Sequence, residues 1–94
     1  MSENDELIAE AELGNQAAIF LESELGRCLV GMAQQEADRA LMDLRVVDPE
    51  NVKAVRDLQS KIWRAESFGS WLTELVSRGN AAMTIFKDQQ RGEE

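Results

Sequence analysis

Ninety-four residues make one domain at most, and 44% hydrophobic content with only 5% aromatics describes a helical chain with a modest core. A net charge of −8 argues against retention on DNA or anionic lipid by the overall field. With no histidine and one cysteine, imidazole acid–base chemistry, a thiolate metal cage and an internal disulfide are excluded.

The chain opens on Met1 to Glu12, which holds five acids and no base. That is the opposite of a signal peptide, so no secretion is expected. The spacing predicts a short acidic helix near 4–13. Gly14 would end it, and Asn15 would cap the next helix.

From Asn15 to Arg45 nothing breaks a helix more strongly than glycine, which predicts a long helix over 15–46. Its apolar residues fall into two seams. Gly14, Ala18, Leu21, Leu25, Cys28 and Met32 form one. Gly26, Val30, Ala33, Ala37, Ala40, Leu44 and Val47 form the other, offset by about 100°. Either the stripe wraps round the helix or two neighbours are contacted. Cys28 lies in this apolar stretch, and a lone thiol fits a reducing cytoplasm.

Asp48-Pro49-Glu50 is the strongest punctuation. Asp48 reads as an N-cap, Pro49 as the first helical residue and Glu50 as first-turn acid, and the proline stops the preceding helix near Val46 or Val47. A short connection between long helices predicts an antiparallel hairpin.

The last helix is predicted over 49–90, with Gly79-Asn80 as a candidate break. Val55, Leu58, Ile62, Ala65, Gly69, Leu72, Val76, Gly79, Met83 and Phe86 recur at spacings of three and four, the pattern of a coiled-coil seam. Phe68, Leu75 and Ala82 run beside it, with Trp71 and Ile85 further round. One hairpin mate does not cover both stripes. Glycine costs a helix about 1 kcal/mol relative to alanine, so Gly69 is expected against a close neighbour, and Gly79 less so. Lys53, Arg56, Lys61 and Arg64 form a local basic strip. Interleaved acids argue that it faces the first half or pairs along its own helix, as Asp57 and Lys61 would at i,i+4.

No motif carries chemistry. Glu22 and Glu24 face different directions on a helix; Glu36, Arg39 and Asp43 have the spacing of a solvated ion-pair face. Gly26 and Gly31 lack the Lys-Ser/Thr of a phosphate loop, and no calcium-loop pattern is present. The expectation is a protein that is not an enzyme and takes no cofactor or metal. Phe68 reads as hairpin core, and Trp71, with Leu75 and Ile85 near it, as an oligomer or partner contact. Trp63 is open between an interface and packing against the acidic first helix. The expected interface is thus Phe68, Trp71, Leu75, Ala82, Ile85 and Trp63.

Leu25-Gly26-Arg27-x-Leu29, Asp48-Pro49-Glu50, Leu58-Gln59, Arg64-Ala65-Glu66-Ser67 and Trp71-Leu72 together resemble a family of short α-helical proteins encoded by tailed bacteriophages, over about residues 20–80. The resemblance implies phage origin and a virion or assembly context. It transfers no functional residues.

The combined expectation is an all-α, coiled-coil-like antiparallel hairpin with a short N-terminal helix, completing its core by homo-oligomerisation. It would be a structural or assembly accessory acting in the host cytoplasm or the assembled virion. It would use neither nucleic acid nor membrane. The competing reading is a small acidic inhibitor of a host defence or transcription protein that imitates DNA charge.

Overall fold

The computed structural model describes Ser2 to Gly92. Among these residues there is no strand, and three helices hold nearly all of them: α1, Glu3–Glu22; α2, Glu24–Val46; and α3, Val52–Gly92. The helices form two compact units. The first joins α1 to α3 from Trp71 onward; the second joins α2 to α3 up to Ser70.

α1 starts where a hydroxyl satisfies an orphan amide. The Ser2 hydroxyl accepts from the Asp5 amide at 3.3 Å, and Glu3, Asp5 and Glu6 place negative charge at the positive helix end. The helix then runs straight through Gly14-Asn15, correcting the expected boundary between 4–13 and 15–46. It stops instead at Ser23, whose backbone is extended (φ −71°, ψ 158°). The Ser23 hydroxyl donates to the Phe20 carbonyl at 2.6 Å, and its amide is shared between the Ile19 and Phe20 carbonyls. A serine bonding back to the preceding turn competes with helix continuation. This break accounts for the two offset seams. The first seam is split evenly by the break: on α1 Gly14 is buried and Ala18 and Leu21 are half-buried, whereas on α2 Leu25, Cys28 and Met32 are exposed. The second seam is the packed face of α2, with Gly26, Ala37 and Ala40 buried.

α2 ends at Val46, as the proline requires. The cap of α3 is three positions later than read. Asp48 to Asn51 form a β-turn with Pro49 at its second position, closed by the Asn51 amide on the Asp48 carbonyl at 2.9 Å. The Asp48 carboxylate accepts from the Glu50 amide at 3.0 Å. Asn51 is the N-cap: its side-chain oxygen accepts from the Ala54 amide at 3.2 Å. Asp48 therefore holds the turn, and Pro49 lies outside α3.

α3 is unbroken through Gly79-Asn80. Of the ten seam positions, only Met83 is classed as exposed, which supports the heptad reading of this face. Apart from Leu7, the buried residues are small. In the second unit they are Gly26, Ala37, Ala40 and Ala65; in the first they are Leu7, Gly14, Ala17, Gly79 and Ala82.

Candidate functional site

Gly14 and Gly79, the two predicted breakers, are the contact point of the first unit. A Cβ on Gly14 would lie 2.7 Å from the Gly79 Cα and 2.8 Å from the Leu75 carbonyl oxygen. A Cβ on Gly79 would lie 2.7 Å from the Gly14 Cα and 3.2 Å from the Glu10 carbonyl oxygen. Only hydrogen fits at either position, so the two backbones touch. Gly69 behaves in the opposite way to expectation, since an added Cβ there would meet nothing within 4 Å.

The crossing repeats itself in sequence. Leu7, Gly14, Asn15 and Ala17 on α1 have the spacing of Leu72, Gly79, Asn80 and Ala82 on α3. Each glycine meets the other, and each would strike the carbonyl four residues before the other. The two segments thus pack about a local dyad at the glycines. At one end of the pair, the Gln89 amide donates to the Glu3 carboxylate at 3.3 Å. The internal repeat was visible in the sequence, but reading glycine as a breaker hid it.

One face of this pair is a groove of about 430 Å³. Ile8, Ala11, Asn15 and Ala18 wall it on α1, and Val76, Asn80 and Met83 on α3. Leu7 and Phe86 also line it. Ile8 and Met83 are each 42% exposed, and Ala11, Ala18, Val76 and Phe86 are half-buried. It is an apolar trough with one asparagine on each wall and Glu12 on the α1 side.

The expected interface residues divide between the units. In the first, Trp71 is 59% exposed and Ile85 45%, with Leu75 half-buried. Ala82 is a correction: at 1% exposure it belongs to the packed face, three residues beyond Gly79, and is unreachable by another chain. In the second unit Phe68 is half-buried and Trp63 is 66% exposed. Beside Trp63 lie Arg56, Ser60, Lys61 and Arg64.

The basic strip is partly paired. The Arg64 guanidinium lies 4.0 Å from the Glu36 carboxylate on α2. Asp57 pairs with Lys53 at 2.8 Å instead of with Lys61. The hydrogen bond and charge of Lys53 hold the Asp57 carboxyl below its usual range, and Lys61 adds a smaller push in that direction. The same bond raises the Lys53 ammonium. Among the described residues no group of three or more His, Cys, Asp or Glu is placed to hold a metal ion, and no helix is long and apolar enough to cross a membrane.

Comparison with protein-family models, curated proteins and solved structures finds no match to this chain.

Proposed function

We propose that this chain is a non-enzymatic helical protein that self-associates, and that it serves a tailed bacteriophage as a structural or assembly accessory in the host cytoplasm or the virion. The observation that carries the reading is the size of the buried core. Among the described residues no large side chain is fully buried, while thirteen large apolar side chains, Trp63 and Trp71 among them, are exposed. Burial of apolar surface is the main favourable term in folding, and a small chain without it takes what it lacks from a partner.

Both units are read as antiparallel helix pairs. In the second unit Glu36 approaches Arg64, and only residues 47–51 connect α2 to α3. Glu3 meets Gln89, while Gly14 meets Gly79. In the first unit the partner number falls as the first number rises, and in the second the short connection calls for the same arrangement. An antiparallel pair of helices buries one stripe per helix and leaves the next stripe for another chain. Trp71, Leu75 and Ile85 are that second stripe in the first unit.

Sedimentation equilibrium at micromolar concentration tests the association. A mass above that of the monomer is expected, with Trp71→Glu lowering it while the helical circular dichroism persists. A monomer mass for the unaltered chain refutes self-association. A mass-spectrometric inventory of purified virions separates the two phage roles: presence supports a structural part, and absence leaves an assembly factor. The acidic-inhibitor reading rests on α1, which holds six acids and no base. Three bases in α3 beyond Trp71, Arg78, Lys87 and Arg91, interrupt any continuous negative face.

A further inference from the structure

We infer that the groove between α1 and the second half of α3 is a two-fold contact between copies of this chain, in which each α1 lies over the α3 of the partner. The inference rests on the self-association reading and adds a second contact surface to the Trp71 flank.

The groove's shape and polarity point to its own copy. Its walls are apolar, apart from Glu12 and the two asparagines. An asparagine amide both donates and accepts, so a groove carrying asparagine is complementary to itself. A lone asparagine in an apolar helical seam fixes register and the number of strands. A two-fold axis parallel to the helix pair brings groove to groove and sets Asn15 of one copy against the partner's Asn80. Such a contact is closed and isologous, as in most homo-oligomers.

Charge then decides which helix faces which. The local dyad at Gly14 and Gly79 makes α1 and α3 alike in shape, so shape alone would let α1 lie over either helix of the facing copy. The charges differ sharply. α1 carries six acids and no base, whereas α3 from Trp71 to Gly92 carries Arg78, Lys87 and Arg91 against Glu74 and Asp88. Lys87 is four residues beyond Met83 and seven beyond Asn80, which puts it on the groove side of α3. The Glu3–Gln89 and Gly14–Gly79 contacts set the register within one chain. A parallel axis preserves that register between copies. The acidic start of α1 then faces the partner's Lys87 and Arg91. Placing α1 over α1 would instead oppose two runs of acids.

The Trp71 flank is a different surface. At about 100° per residue, Trp71 lies roughly 120–140° round α3 from Val76 and Met83. The two surfaces respond to different substitutions.

Two measurements test the inference. The first is sedimentation equilibrium of Met83→Glu, with circular dichroism confirming that the helices remain. Loss of the groove contact lowers the mass by twofold or more. The second uses Cys28→Ser chains carrying either Asn15→Cys or Asn80→Cys, which leave the apolar walls intact. Under mild oxidation the mixture should form a disulfide-linked dimer between unlike chains, and Asn15→Cys alone should not. If the unaltered chain is an oligomer whose mass Met83→Glu does not change, the groove is not the contact, and self-association stands on another surface. Cross-linking of Asn15→Cys to itself in preference to the mixture overturns the α1-over-α3 arrangement. A monomeric unaltered chain overturns this inference and the reading beneath it.

Discussion

Gly14 and Gly79 fix how closely two helices approach, and their substitution separates two opposed effects. Alanine favours a helix over glycine by about 1 kcal/mol. At Gly14 or Gly79, however, the new methyl would strike backbone at 2.7 Å, and backbone yields only if the helices move apart. Overpacking of this kind costs about 1–3 kcal/mol. Gly79→Ala should therefore lower the thermal midpoint. Gly31→Ala, where an added Cβ meets nothing within 4 Å, should raise it through the helix preference alone. Equal effects at the two positions would contradict the backbone contact. The Asp57 carboxyl gives a second reading at this scale. Its lowered pKa means that the pair with Lys53 contributes above the ordinary carboxylate range, and that the contribution is lost as pH falls through the lowered value. Because both groups lie on the surface, the effect on stability is screened and small. An NMR titration of Asp57 should show a midpoint below the usual aspartate value, rising in Lys53→Met.

Among the helices, the all-α class and the end of α2 were legible in the sequence, because these follow from the absence of strand patterns and from proline; the count of three agreed only because the expected break at Gly14-Asn15 stood in for the one at Ser23. The remaining boundaries followed side-chain hydrogen bonds that residue type alone does not rank. Asp48 and Asn51 are both good caps, and the turn closed by Pro49 gives the cap to Asn51. Asn51→Ala should therefore cost about 1 kcal/mol through the lost cap. Pro49→Gly should cost roughly 0.5–1 kcal/mol through the unfolded chain, since the proline presets the turn. Ser23 was invisible as a break because serine within a helix usually points to solvent; here its hydroxyl turns back on Phe20. Gly14 and Gly79 were misread for a related reason. A glycine reads as a break until its neighbour is known, and the neighbour is about sixty residues away. Of the candidate association surface, Trp71, Leu75 and Ile85 were legible from helical spacing. The groove was not, because it takes form only when α1 is laid against α3.

For the whole molecule, the central claim is that one chain does not complete its own core. Leu58 and Leu72, both in the seam of α3, are only half-buried. Truncation to alanine at a fully buried site costs about 2–5 kcal/mol, and a single chain should show less than this at either leucine. Partner contacts add to the measured stability by mass action, so an associating protein melts at a temperature that rises with its concentration. The decisive measurement is the thermal midpoint by circular dichroism over roughly a hundredfold range of protein concentration. The account predicts a midpoint that climbs steadily across the range for the unaltered chain. A midpoint independent of concentration would mean that the three helices stand alone as a monomer, with Trp71 and the groove left in water.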